Sequence, residues 1–179
     1  TINVIGAGTI DVAGNPGTST LTITNTPPSS TVSFSAYANA DVPAVTGDTT
    51  DYTVIFNVEI SDVGGNYNNA TGFFTAPSNG LYFFADGVTS SNYTALFTSY
   101  QLTLFGSVYH VTGCDFNPGV AFDGGGANDI SQNVSAVIPM TAGDNMRVVL
   151  GVDGGAKTIG IHGAAAPDLF TWFTGYKIA

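Results

Sequence analysis

The residues that could carry out acid, base or nucleophilic chemistry are few and scattered. His110 and His162 each stand beside apolar residues of a strand-like segment, and no Gly-x-Ser-x-Gly or His-Glu-x-x-His pattern accompanies them. Cys114 is the single cysteine and Glu59 the single glutamate, which excludes an intrachain disulfide and a catalytic pair of glutamates. We therefore expect structural or surface roles for both histidines, a small and partly buried Cys114, and no enzymatic activity.

One glycine-rich segment has the residue types of a cation site. Residues 123–129 have the sequence DGGGAND, in which Asp123, Asn128 and Asp129 could supply hard oxygen ligands to Ca²⁺. The spacing matches no EF-hand loop, and runs of Gly, Asn and Asp also form ordinary turns, so both interpretations stay open. Nothing else in the sequence requires a cofactor.

The charge balance limits the classes of partner. Three basic residues stand against thirteen acidic ones, for a net charge of −10. Nucleic acids and anionic membrane surfaces are bound by clusters of Lys and Arg, which three cations cannot build. No apolar run is long enough to span a bilayer. The sequence therefore predicts no nucleic-acid partner and no membrane insertion, and its wealth of Thr, Ser, Asn and Gly favours an exported or surface protein.

The elements that must position any site are predicted to be β-strands. Strand and turn formers dominate the composition, including 23 glycines, whereas helix formers are scarce. Residues 1–26 predict a β-hairpin with a turn at 13–17, and residues 26–30 predict a short stiff linker. We therefore divide the chain into an N-terminal ribbon with its linker, residues 1–30, and a main domain, residues 31–179.

Short strands and turns alternate through the main domain. The segments 72–76 and 81–88 flank a Pro-Ser-Asn-Gly turn and predict a core hairpin. Pro139 should lie at a strand end or on an edge strand. The regular spacing predicts a sandwich or jelly roll. The predicted strands are 32–38, 52–60, 72–76, 81–88, 95–112 (one bent strand or two), 133–140, 145–152, 158–162 and 169–178.

With these segments in place, a family resemblance is visible. Residues 54–88, VIFNVEISDVGGNYNNATGFFTAPSNGLYFFADGV, resemble the central signature of the C1q globular domain. Residues 34–36 resemble its opening strand, residues 135–148 the apolar strand and Gly-Asp turn near its end, and residues 170–176 its closing strand. The resemblance implies a hairpin turn at residues 142–145. Together the matches cover about residues 32–178. The residues at the matching places of the central signature are Gly72, Phe74, Gly80, Tyr82 and Phe84.

The sequence also departs from this family in two places. Leu104-Phe105-Gly106-Ser107 stands where the family has an Asn-Gly turn, and a longer Gly-rich insertion follows. Residues 1–30 lie outside the resemblance, and no collagen-type repeat precedes the domain. Ligand-binding loops and metal sites therefore cannot be carried over from the family.

The resemblance implies a ten-stranded jelly roll, shared with the tumour necrosis factor group and assembled as a homotrimer. The short N-terminal hairpin would then form a neck. The large number of aromatic residues is consistent with such an assembly, because a seam between subunits would bury outward-facing rings. We expect Tyr37, Tyr82, Trp172 and Tyr176 at this seam.

We therefore predict a non-enzymatic, extracellular or cell-surface recognition head, an adhesin or the receptor-binding tip of a bacterial surface fibre or phage tail fibre. Its ligand would be a cell-surface glycan or protein, bound by loops 39–52 and 115–130. The expected contact residues are Tyr93 and Phe116, as rings stacking on sugars, with Asp123, Asn128 and Asp129. The alternative is a structural trimeric protein of a surface layer or exosporium-like coat.

Overall fold

The computed structural model describes residues 10–14, 21–25, 32–93, 96–118 and 128–179. These residues form fifteen β-strands. Their bounds are β1 Ile10–Gly14, β2 Leu21–Asn25, β3 Ser33–Tyr37, β4 Val42–Thr46, β5 Tyr52–Thr53, β6 Val58–Val63, β7 Tyr67–Asn68, β8 Phe73–Thr75, β9 Gly80–Tyr93, β10 Ser99–Gly106, β11 His110–Phe116, β12 Asn128–Met140, β13 Asn145–Asp153, β14 Ile159–Ile161 and β15 Trp172–Lys177.

The chain divides into two compact units, Thr1–Thr31 and Val32–Ala179. In the first unit β1 pairs antiparallel with β2, with Ile10 opposite Asn25 and Gly14 opposite Leu21. The two strands thus form an antiparallel ribbon in this unit. The predicted turn and linker of this ribbon lie largely outside the described residues.

The second unit contains two antiparallel sheets. The first sheet has seven strands in the order β4-β14-β9-β15-β3-β6, with β12 paired to β9. The second has six in the order β11-β10-β13-β8-β7, with β5 paired to β13. The predicted all-β jelly roll is confirmed. The two sheets together contain more strands than the ten expected. Four of these strands, β5, β7, β8 and β14, are short pairings of only two or three residues.

Alternation along the strands places one face of each sheet in a shared aromatic core. Phe74 of the second sheet meets Phe34 and Phe84 of the first, with ring centroids 5.2 and 5.3 Å apart. Phe173 packs edge-on against Phe34 at 4.9 Å. Gly175 lies between these rings, where a Cβ atom would stand 2.6 Å from Cδ1 of Phe84 and 2.7 Å from Cε1 of Phe34. Only glycine therefore leaves room for this packing.

The predicted core hairpin at residues 72–88 is wrong in its pairing. Both strands exist, but β8 belongs to the second sheet and β9 to the first. The Pro-Ser-Asn-Gly turn thus carries the chain across the sandwich instead of joining neighbours in one sheet. The crossing brings Phe74 and Phe84 together in the core from opposite sheets, with their rings in a T-shaped arrangement.

Three other local predictions need correction. The turn at 142–145 joins β12 to β13, which lie in different sheets, so it is not a hairpin turn. The single strand predicted at 52–60 is broken into β5 and β6, and its Ile60 is 56% exposed. Loop 39–52 contains β4. As predicted, Pro139 lies near the end of a strand, β12. Among the described strands β12 pairs with β9.

Candidate functional site

The two aromatic rings predicted to stack on a sugar are packed against other side chains of the protein. Tyr93 is fully buried at the end of β9, and its hydroxyl shares a hydrogen bond with that of Ser90 at 2.9 Å. The regular alternation of β9 buries Tyr82, Phe84 and Asp86 and would turn Tyr93 outward, but it is broken at Asn92, which has a φ of 69°, where the register with β12 also shifts. The ring therefore lies in the core, and the expectation of an exposed contact residue is wrong. Phe116 is half-buried and stacks on Tyr100, with centroids 5.0 Å apart.

The predicted Ca²⁺ ligands lie at the edge of what the structure describes. Asp123 and most of loop 115–130 fall outside the described residues. Asn128 begins β12 opposite Tyr93, and the side chain of Asp129 is exposed. Within the described ranges, no cluster of three or more His, Cys, Asp or Glu residues could hold a metal ion. The calcium site stays a prediction.

The histidines are held by neighbouring side chains in different ways. His162 lies with Nδ1 3.1 Å from Oδ1 of Asp41 and packs edge-on against Phe170. His110 is exposed and stacks on Phe105 at 3.7 Å. Cys114 is half-buried, and burial raises the pKa of its thiol. The geometry brings none of these three groups into a nucleophile-and-base pair with another, within the part of the chain that the structure describes.

A buried carboxyl group escaped the sequence analysis. Asp86 faces the core from β9, is fully buried, and neither oxygen has a hydrogen-bond partner among the described residues. Burial raises its pKa to about 8, an effect only partly offset by the nearby backbone N–H of Val134. The carboxyl group also lies close enough to Tyr100 and Cys114 to influence their titration. No local pattern could have revealed this environment, since Asp86 sits in an Asp-Gly pair typical of a turn.

The outer face of the first sheet carries a row of apolar side chains. In the observed register Val63 is opposite Ser33, Ser33 opposite Tyr176, Tyr176 opposite Phe83, and Phe83 opposite Val137. Residues opposite one another share a face, so these five form one line across five strands. Val63, Tyr176 and Val137 are 48%, 45% and 52% exposed. We call this line the outer apolar row.

Three of the four residues predicted at a subunit seam lie on this face. Tyr176 belongs to the outer apolar row. Tyr37 and Trp172 lie directly opposite one another on the same face, each four residues away from the row along its own strand. The Trp172 indole covers Gly87, where a Cβ atom would stand 2.5 Å from Nε1. Tyr82 points the other way and is fully buried within its own protomer, with its hydroxyl donating to the Ser78 carbonyl at 2.7 Å. It is therefore a core residue and not a seam residue.

Comparison with known proteins explains this architecture. The C1q domain model matches residues 33–177. The chain belongs to the C1q domain family. The match confirms the resemblance inferred from residues 54–88 and extends over nearly the whole second unit. No curated protein sequence shows a significant match.

Solved structures share the C1q fold at low sequence identity. The globular domain of zebrafish complement 1qA is 21% identical, with a TM-score of 0.56 over 83% of this chain and 97% of that one. The Eiger tumour necrosis factor from S. frugiperda is 12% identical, with a TM-score of 0.54 over 84% of this chain and 94% of that one. Murine APRIL is 11% identical, with a TM-score of 0.50 over 83% and 99%. These likenesses establish the fold.

Family membership defines a general role. C1q-like domains generally act as trimeric ligand-recognition modules, and they are generally extracellular or secreted. The described part of this C1q chain includes no helix with the length and apolar composition needed to cross a bilayer.

Proposed function

We propose that this chain is the trimeric, non-enzymatic recognition head of a surface fibre. The outer apolar row is the observation that carries the proposal. Val63, Tyr176 and Val137, each with about half of its surface exposed, lie in one line with Phe83 and Ser33 and form an apolar patch of a kind that monomeric proteins seldom leave in water. A closed ring of identical subunits buries the same patch in every copy.

The surroundings of the row also suit a contact between subunits. The next row on the same face, toward the middle of the sheet, consists of the small residues Ser61, Ser35, Thr174, Ala85 and Ser135. Such small side chains allow neighbouring subunits to approach closely. Leu81, two residues along β9 from Phe83, is also exposed and extends the apolar patch.

The head would sit at the tip of a bacterial surface fibre or a phage tail fibre, with the N-terminal ribbon as its neck. It would bind a cell-surface glycan or protein through loops such as 115–130, near whose two ends lie the half-buried Phe116 and the exposed Asp129. Three weak sites on one trimer would gain avidity on a repetitive surface.

The oligomeric state can be tested by light scattering coupled to gel filtration. The wild type should have close to three times the 18.3 kDa mass of the chain. Val137→Arg together with Tyr176→Arg should give a folded monomer, because two charges would enter the apolar contact. The matched control is Val108→Arg, at an equally exposed apolar residue outside the row, which should remain trimeric. A monomeric wild type would contradict the trimer.

Recognition can be tested by binding of the fluorescently labelled head to bacterial cells. Saturable staining that is lost after periodate treatment would indicate a glycan, and staining lost after protease treatment would indicate a protein. A variant lacking residues 119–127 tests the predicted loop. If the protein stains no cells but assembles into ordered layers, the structural coat role replaces the recognition role.

A further inference from the structure

An amide-rich groove opens on the second sheet, and none of its lining residues belongs to the loops 39–52 and 115–130 predicted to bind ligand. It has a volume of about 690 Å³ and is formed mainly by the turn between β6 and β8, with one residue from the start of β13. We call it the asparagine groove. The described residues that line it are Gly65, Asn66, Tyr67, Asn68, Asn69, Thr71, Phe73, Thr75 and Asn145.

The backbone of the groove is held by its own hydrogen bonds. The Asp62 carboxylate accepts the N–H groups of Asn66 at 3.2 Å and Tyr67 at 3.0 Å. Asn68 Oδ1 accepts those of Ala70 and Thr71 at 3.0 and 3.2 Å. These bonds leave little freedom to be lost when a ligand binds, so the groove is organised in advance.

Two further features stiffen this segment. Gly64 and Gly65 take positive φ angles of 106° and 65°, which allow the tight turn after β6. Tyr67 anchors the segment to the core, since it is buried, stacks on Phe34 at 4.7 Å and donates its hydroxyl to the Phe56 carbonyl.

The ring of Phe73, which lines the groove, packs against a cationic side chain. The guanidinium of Arg147 lies between two rings, 4.8 Å from the centroid of Phe73 and 4.5 Å from that of Phe105. Arg147 and Phe105 are directly opposite one another on β13 and β10. Phe73 thus lines the groove and also contacts a guanidinium that is itself held against Phe105, which restrains the Phe73 ring.

The lining excludes most classes of ligand. None of the nine lining residues is charged, so the groove offers neither carboxylates for a hard cation nor Lys and Arg for a phosphate. Phe73 and the buried Tyr67 are its only large apolar residues, which is too little apolar surface for a hydrophobic molecule or a helix. The remaining groups are neutral amides and hydroxyls, each able to donate and accept hydrogen bonds.

We propose that the asparagine groove binds a neutral sugar. Amides of Asn66, Asn69 and Asn145 would pair with sugar hydroxyls, and the Phe73 ring would pack against the apolar C–H face of the sugar. This inference rests on the proposed recognition role but assigns it to a different surface from loop 115–130. It also defines the class of ligand, a neutral hexose, deoxyhexose or N-acetylhexosamine.

The test uses saturation-transfer difference NMR on the whole protein with glucose, galactose, mannose, fucose, N-acetylglucosamine and N-acetylneuraminic acid. Asn69→Ala removes an exposed amide that no hydrogen bond among the described residues uses. Phe73→Leu removes the ring but keeps an apolar side chain against Arg147. The matched control is Gln101→Ala, which removes an exposed carboxamide from the second sheet outside the groove. Circular dichroism checks that each variant folds.

The wild type should bind at least one neutral sugar of the panel. Both groove variants should weaken that binding roughly tenfold, the loss expected for one ligand hydrogen bond or ring contact, while the control stays within about twofold. Unchanged sugar binding in both groove variants would overturn the groove assignment. Binding of N-acetylneuraminic acid alone would overturn the class of ligand.

The cell-staining assay separates this inference from the proposed function. If the protein stains cells but binds none of the sugars, the groove assignment fails and the recognition role stands. If the protein binds none of the sugars and also stains no cells, both the groove assignment and the recognition role fail. Equal staining by the wild type and the folded Asn69→Ala variant, with staining sensitive to periodate, would place the glycan site elsewhere.

Discussion

Replacing the buried Asp86 by Asn should change how the stability of the protein depends on pH. The folded protein holds this carboxyl group in the core without a hydrogen-bond partner or a cation among the described residues. Burial disfavours the ionised form and raises the pKa from the ordinary 3.8 to about 8. In the unfolded chain the group returns to water and to its ordinary pKa.

The size and sign of the effect follow from these two pKa values. The unfolded chain loses the proton near pH 3.8, whereas the folded chain keeps it until about pH 8. The contribution of Asp86 to stability is therefore fully present below pH 3.8 and is lost as the pH rises through about 8. Since each pH unit between the two values is worth about 1.4 kcal/mol, the total loss is on the order of 5 kcal/mol.

Urea denaturation at pH 4, 6, 7 and 9, at one protein concentration, measures this loss. The Asp86→Asn variant has nearly the same shape and cannot ionise, so it should match the wild type at pH 4 and exceed its free energy of unfolding by several kcal/mol at pH 9. The exposed Asp168→Asn is the matched control and should follow the wild type throughout. Parallel pH profiles for the wild type and Asp86→Asn would refute the reasoning.

Two further predictions concern the core. Phe84→Ala should lower the free energy of unfolding by about 3–5 kcal/mol in urea denaturation, because Phe84 is fully buried among rings, whereas the control Val108→Ala, at a 63% exposed side chain, should change it by less than about 0.5 kcal/mol. Gly175→Ala should cost about 1–3 kcal/mol or more, since its Cβ would overlap Phe84 and Phe34. An unchanged denaturation midpoint for either core variant would contradict the observed packing.

The existence of most strands was predictable from the sequence because alternation is a local property. Ser33–Tyr37, Asn145–Asp153 and Trp172–Lys177 each place every second side chain inside, and strands were predicted at 32–38, 145–152 and 169–178. The Gly, Tyr and Phe residues of the 54–88 signature also sufficed to indicate the C1q family. These features depend on neighbours within a few residues.

The candidate sites were less predictable because side-chain exposure depends on distant strands. Tyr82 and Tyr93 look like any other tyrosine in the sequence, yet the packing of the second sheet covers both. Asn66, Asn68 and Asn69 stand close together in the sequence. The amide-rich lining was therefore visible in the sequence, but the concavity depends on Asn145, 76 positions beyond Asn69 in the chain.

Most of the strands and the family follow from the amino-acid sequence alone, since side-chain alternation and turn chemistry act over a few residues. Strand pairing depends on the tertiary structure, which places β8 and β9 in different sheets. The tertiary structure also aligns Val63, Tyr176 and Val137 in one row and buries the Asp86 carboxyl group with no hydrogen-bond partner among the described residues. The physical reason is that pairing and burial are set by the joint packing of both sheets around one core, to which residues far apart in sequence contribute equally.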